Sequence, residues 1–166
     1  MYLNDFNSKK SKLHDFMYKK YLIDPKNATH IRVGVGIILH TDKKLLLEKR
    51  ADCQKWGLIG GGVEVGEELK MTALRECQEE TSLKLNKNNL QFLGVYSDIS
   101  QYRIIEYPDN CFHAIDIIFS YKIAKNLNPK KSIESLKLTF FPFDCLPKQL
   151  VPPAKKPIED FIRLIK

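Results

Sequence analysis

The chain has 166 residues, of which 43% are hydrophobic and 10% aromatic; that fits one domain with a sizeable core and excludes a disordered polypeptide. No apolar run approaches the roughly 18 residues of a membrane helix. The N-terminus (MYLNDFNSKKSK) lacks the apolar core of a signal peptide, so a cytoplasmic protein without membrane contact is expected. The net charge of +7 gathers at the two ends. Residues 1–30 hold six Lys against three Asp, and residues 121–166 hold 10 basic against four acidic side chains, while 31–120 hold 13 acidic against 11 basic ones. Basic ends of this kind either attract a polyanion, such as a nucleotide or RNA, or are ordinary solvated Lys. Cys53, Cys77, Cys111 and Cys145 are scattered with no CxxC pair, which argues against a zinc site or a disulfide framework.

In chain order, Leu13, Phe16, Met17 and Tyr21 recur at helical spacing and predict an amphipathic helix over about residues 9–23, ended by Pro25. Such a helix would cap the domain or form the face of a homodimer, and the sequence leaves both open. Residues 31–39 (IRVGVGIIL) form a β-rich run expected to be buried on both faces. A turn at 40–43 returns the chain as a strand over 44–50 (KLLLEKR). Gly34 and Gly36 do not make a dinucleotide fingerprint, because Leu39 stands where the third glycine belongs. Residues 56–59 lead as a short strand into Gly60, Gly61 and Gly62, which are no P-loop, since no Gly-Lys-Ser/Thr follows.

Residues 67–83 contain neither Gly nor Pro and are rich in good helix formers, which predicts a helix with Leu69, Ala73, Leu74 and Cys77 as its buried stripe. Its polar face is acidic, with Glu76, Glu79 and Glu80 three and four residues apart. Like charges at these spacings repel by about 0.2–0.5 kcal/mol per pair, and the helix dipole disfavours anions near its C-terminus. A solvated acidic face partly neutralised by Arg75 is one reading. Three carboxylates converging beside a glycine loop also suit a hard cation, Mg²⁺ or Mn²⁺, which takes several oxygen ligands.

Further on, residues 90–97 read as a strand and 98–110 as a polar loop or long hairpin over the site. Residues 111–123 (CFHAIDIIFSYKI) form a long strand in which His113 and Asp116 read as polar strand positions rather than ligands. Residues 135–143 alternate as a strand with Leu136, Leu138 and Phe140 on one face. Val151-Pro152-Pro153-Ala154 is linker-like, and a last amphipathic helix carries Ile158, Phe161, Ile162 and Ile165 over about 157–166, with Pro157 in its first turn.

The series Gly61, five residues, Glu67, seven residues, Arg75-Glu76, then Cys77, Glu79-Glu80 and Leu83 resembles the signature box of the Nudix hydrolases. Ser82 stands where that family usually has Gly, and Ile59 where it usually has Pro. The resemblance covers most of residues 31–147. It implies an α/β fold, the family's α/β/α sandwich with a mixed sheet between helices, as a single domain over 1–166. The activity it implies is hydrolysis of the pyrophosphate linkage of a nucleoside diphosphate joined to another moiety, by divalent-metal-assisted attack of water. In that scheme Glu79, Glu80 and the Gly60 carbonyl bind the divalent ions. Glu76 binds metal or acts as general base, Arg75 holds Glu76 in place, and Glu67 braces the loop against the helix. Some family members draw a base or a further ligand from a downstream loop. Glu106, Asp109 and Glu134 are the candidates here, Glu106 and Asp109 also as substrate-binding residues. The Pro typical of ADP-ribose-cleaving members is absent around Ile99, and Tyr102 fits poorly as the Tyr of dinucleoside-polyphosphate members. The alternative is a Nudix-fold nucleotide- or RNA-binding module without turnover. It predicts a damaged box, whereas this box keeps all its carboxylates.

Overall fold

The computed structural model describes residues 19–124 and 127–166. Their strands are β1 (Lys20–Leu22), β2 (His30–His40), β3 (Lys44–Arg50), β4 (Trp56–Gly57), β5 (Ile59–Gly62), β6 (Gln91–Tyr96), β7 (Ile104–Tyr107), β8 (Asn110–Lys122) and β9 (Ser135–Pro142). The helices are α1 (Leu69–Thr81) and α2 (Pro152–Leu164). All the strands join one mixed sheet in the order β1-β7-β8-β2-β3-β4, with β5 also on β2, β6 also on β8 and β9 on β3. The parallel pair is β2 with β8, in register from His30 opposite Phe112 to His40 opposite Lys122.

The alternation of side chains along the central strands decides which helix covers which face. Val35, Ile37 and Leu39 of β2, with Leu46 of β3, meet Ala73 and Cys77 of α1. Ile38 of β2, with Leu45 and Leu47 of β3, meets Ala154, Ile158 and Phe161 of α2 on the opposite face. The result is the α/β/α layering expected. Among the described residues no helix is long and apolar enough to cross a membrane.

Several expectations change. Most of the helix predicted over about 9–23 lies outside the described residues, but its last part is strand. Tyr21 sits opposite Ile105 in the β1–β7 pair and packs on Phe112 and Ala114, so pairing and packing override the helical spacing. Strand β2 is not buried on both faces throughout. Ile31 is 61% and Val33 38% exposed, since the part of β2 packed against α1 begins at Val35. On α1, Leu69 is exposed, and the buried stripe consists of Thr72, Ala73, Cys77, Glu80 and Thr81. On β9, Leu136 is exposed. Of the two readings offered for 98–110, a polar loop or a long hairpin, the hairpin holds from Ile104 on, with β7 pairing β8 through Tyr107 opposite Asn110.

The last helix begins five residues earlier than predicted, because the linker-like prolines are its first turn. Pro152 and Pro153 occupy positions whose N–H groups would have no helical partner anyway. Pro157 then falls inside the helix, where it brings no N–H to the carbonyl of Pro153. That carbonyl accepts instead from Arg103 Nη2, at 2.8 Å. A missing helical hydrogen bond thus becomes an anchor for a fully buried guanidinium.

Helix α1 ends at Ser82, which takes the left-handed conformation (φ 60°, ψ 10°) and donates its N–H to Gln78 O at 2.9 Å. A side chain in that conformation is strained, whereas Gly is not. Replacing Ser82 by Gly is expected to stabilise the fold by about 0.5–1 kcal/mol, or roughly 1–4 °C in melting temperature. Urea and thermal denaturation check this; a loss of stability would show that the Ser82 side chain itself holds the cap.

Candidate active site

Arg75, half-buried on α1, is the hub of the box. Its Nε and Nη2 donate to the two oxygens of Glu67 at 2.9 and 3.0 Å, and Nη2 also donates to the Gly62 carbonyl at 3.1 Å. Its Nη1 donates to Glu76 Oε1 at 2.7 Å and to Glu79 Oε2 at 3.2 Å. One planar cation with five donors therefore ties three carboxylates and a strand carbonyl together. Glu67 also accepts from Thr72 Oγ1 at 2.7 Å and from its own loop at Glu64 N. These partners, Arg75 first, hold the Glu67 carboxyl down at about 2.

Glu80 does not share this hub. It lies one turn beyond Cys77 on the buried stripe, so the helix carries it into the layer between α1 and the sheet. There Glu80 Oε2 accepts from the Gly60 N–H at 2.9 Å. Burial and then the charge of Glu48 push its carboxyl well above the usual range. Glu48 shares the α1-facing side of β3 with Leu46, is 2% exposed, and is likewise raised by burial. Its Oε1 accepts from Ser135 Oγ, and its Oε2 is buried without a hydrogen-bond partner. Arg50 Nη1 stands 3.6 Å from that oxygen, while the rest of the same guanidinium grips Asp52 at 2.8–3.2 Å. Glu76 is half-buried, and burial raises its carboxyl against the pull of Arg75.

Thus Glu76 and Glu79 turn onto Arg75 while Glu80 turns onto Gly60. Among the described residues no three His, Cys, Asp or Glu side chains close on one point at ligating distance.

The glycine strand explains how a helix so acidic fits here. A Cβ on Gly61 would stand 2.3 Å from Glu76 Oε1, and one on Gly60 would stand 2.1 Å from the Val35 carbonyl. Gly60 also has φ +145°, a conformation L side chains rarely adopt. On its other side the strand borders a cavity of about 260 Å³, whose lining includes Gly60, Gly61, Gly62, Asp116, Tyr107 and Phe112. Gly60, Gly61 and Gly62 put no side chain of their own at this edge of the cavity. Arg32 marks the junction, with Nη2 2.7 Å from where a Gly62 Cβ would be.

The downstream candidates lie elsewhere. Glu106 accepts from Lys20 Nζ at 2.8 Å on the β1–β7 edge, and Asp109 is exposed on the hairpin turn; neither lines the cavity. Glu134 is exposed before β9. The cavity brings in Arg103, which the sequence reading passed over, and its ion-pair partner Asp116, read there as a polar strand position. Glu48 was legible in principle, as the single carboxylate on the inward alternation of KLLLEKR.

A family model for the NUDIX domain matches residues 30–161, most of the described fold. The chain belongs to the Nudix family. It is 34% identical over 137 residues to an ADP-ribose pyrophosphatase of Methanocaldococcus jannaschii, covering 81% of this chain and 75% of that protein. It is 45% identical over 64 residues to an RNA pyrophosphohydrolase of Pelagibacter ubique, covering 37% of this chain but only 40% of that relative's length. The crystal structure of a MutT Nudix hydrolase from Burkholderia pseudomallei superposes with a TM-score of 0.65 at 25% identity, covering 78% of this chain and 97% of that one. Nudix hydrolases generally use divalent metals.

The buried carboxylates of the box and of β3 lead to an expected acid response. Glu48, Glu76 and Glu80 are raised above 4.5 in the fold, so they favour folding when protonated, and that gain arrives as pH falls toward 4.5. Glu67, lowered from 4.5 to about 2, and Asp52, lowered from 3.8 to about 2, act oppositely: their contribution is present above the ordinary values and is lost as pH falls through about 2. With divalent ions removed by EDTA, the melting temperature is expected to rise between neutral pH and about 5, then fall below about 4. Glu80→Gln should flatten the rise. A steady decline from neutral pH downward would overturn the assignment of buried charge.

Proposed function

We propose that this chain is a hydrolase of the pyrophosphate linkage in a nucleoside diphosphate joined to a second moiety, a divalent-metal enzyme acting on a nucleotide-type small molecule in the cytoplasm. The observation that carries the reading is the intact box, with Glu67, Glu76 and Glu79 gathered around Arg75 and Glu80 on the Gly60 N–H, at the edge of a cavity bordered by glycines. The names of the relatives, an ADP-ribose pyrophosphatase and an RNA pyrophosphohydrolase, share this bond and differ in what flanks it.

The donor set fits a hard cation in kind. It offers only oxygens, from Glu76, Glu79, Glu80 and the Gly60 carbonyl, beside a Glu48 Oε2 that is buried without a hydrogen bond and a Glu80 carboxyl that burial pushes up, a penalty a cation would relieve. A bound Mg²⁺ or Mn²⁺ would neutralise phosphate charge and make water easier to ionise. The chain's own residues supply the rest. Arg75 fixes the Glu76 carboxylate against Gly61, and Glu67 locks Arg75 to the loop. Glu76, whose carboxyl burial raises and so makes more basic, is suited to take a proton from the attacking water. Arg32, at the junction of cavity and box, is placed to meet the phosphate chain as it crosses the glycine edge.

Glu76→Gln, Glu79→Gln and Glu80→Gln are each expected to lower turnover at saturating Mg²⁺ by roughly 10²–10⁴-fold with cooperative unfolding retained. The measurement is a panel of pyrophosphate-linked nucleotides assayed with Mg²⁺ and with Mn²⁺, products resolved by chromatography. Near-wild-type turnover in all three variants would sink the reading.

A further inference from the structure

One carboxylate in the layer between α1 and the sheet belongs neither to the box nor to Arg75. Glu48 sits on the α1-facing side of β3, where that strand has parted from β2. The two strands pair at His40 and Leu45, whereas at Glu48 the neighbours are Gly57 of β4 and Leu138 of β9. Strand β4 leads through Leu58 into β5, whose Gly60 N–H holds Glu80. Glu48 and Glu80 therefore approach one seam, the first from the sheet and the second from the helix. They are near enough that Glu48 raises the Glu80 carboxyl more than Glu76 does from one turn away on the same helix.

Packing does not account for a carboxylate there. Leu46, two residues earlier on the same side of β3, and Leu138 opposite are both apolar. Ser135 Oγ serves Glu48 Oε1, but Oε2 is buried with no hydrogen-bond partner. The nearby cations are engaged elsewhere. Arg50 commits Nε and Nη2 to Asp52, and its Nη1 stops 3.6 Å short of Glu48 Oε2. Lys19 also lies on Asp52, at 3.5 Å. A buried acceptor left unmade costs stability, and a second carboxylate close by adds to the cost. A glutamine would keep the Ser135 contact without the charge.

We infer that Glu48 is a further carboxylate of the divalent-cation site, supplied by β3 from outside the box and shared with Glu80 across the seam. Mg²⁺ is commonly held by one or two carboxylates, with water and substrate phosphate completing its shell. Two glutamates are therefore a sufficient protein share, in keeping with the lack, among the described residues, of three such side chains closing on one point. The pair offers hard oxygens, one of them uncommitted, in a layer that shields them from water. Arg50, Gly57 and Gly60, which flank the seam, also line the cavity, so the pair stands beside the space a phosphate chain would occupy. The inference rests on the metal-dependent hydrolase reading and adds to it a residue upstream of the box.

Mn²⁺ binding to the full chain without nucleotide, followed by loss of the free-ion paramagnetic resonance signal, reads the site apart from turnover. Glu48→Gln, which keeps the side chain's shape, is expected to weaken Mn²⁺ binding about tenfold or more. Ser135→Ala removes the hydrogen bond to Oε1 but leaves the carboxylate, and should stay within about threefold of the wild type. Cooperative melting in EDTA shows that both variants are folded. Should Glu48→Gln fail to fold, crystals of the wild type grown with Mn²⁺ decide, with anomalous density expected in contact with Glu48 Oε2. Affinity within about threefold of the wild type in folded Glu48→Gln, an equal loss in Ser135→Ala, or density touching the box glutamates alone would each overturn the inference. If Glu80→Gln abolishes Mn²⁺ binding while Glu48→Gln leaves it intact, the inference falls and the metal-dependent reading stands. A wild type that binds no Mn²⁺ also overturns the inference, and the nucleotide panel then tests the hydrolase reading by itself. Mn²⁺ binding weakened by Glu48→Gln, in a wild type that turns over none of the panel, would uphold the site and remove that reading.

Discussion

A helix carrying Glu67 at its approach and Glu76, Glu79 and Glu80 within its last turns lays its acidic side against a strand with Arg75 standing among the carboxylates. Like charges at three- and four-residue spacing oppose the helix, and its dipole adds to that opposition. The guanidinium offsets both by binding Glu67 with two donors, Glu76 and Glu79 with a third nitrogen, and the Gly62 carbonyl with the nitrogen that also reaches Glu67. The last contact, with Glu80 on the Gly60 N–H, joins helix to sheet through the site. Lysine, a point charge on a flexible stem, would not serve this fork of acceptors.

With the helix held so close, the strand beneath it has no room for side chains. Glu76 rests on Gly61 and Glu80 takes the Gly60 N–H, so the acidic face is applied to bare backbone. The same bareness opens the other side of the strand to the cavity under α2. Box and cavity lie on opposite faces of one sheet, and the three glycines are where a ligand can reach both. The close approach of helix to strand and the continuity of the site are one constraint seen from two sides.

The second buried cation, Arg103, works in a different way. It holds one carboxylate, Asp116, and its second anchor is a carbonyl released by a proline inside α2. Arg75 organises partners within a few residues of itself or one strand away. Arg103 joins β8 to α2 across the α2-facing side of the sheet. Local sequence shows the first kind of arrangement and hides the second.

What the sequence determined by itself was whatever depends on short spacing. The box from Gly61 to Leu83, the helix between its ends, and the strands over KLLLEKR and IRVGVGIIL all follow from residues a few positions apart, where helical and strand periods fix who is a neighbour. Tertiary structure decided everything that depends on register and on which face a helix covers. Tyr21 became a strand residue through its pairing with Ile105, Leu69 lost its place in the buried stripe, and Glu80 gained one. Glu106 and Asp109 were drawn away to an edge and a turn. Asp116 met Gly34 only because β2 and β8 pair in parallel at one register, and a shift of one residue would have turned its carboxylate to the opposite face. Partners some eighty residues apart leave no periodic trace in a single chain, so that contact is legible only once the sheet is assembled.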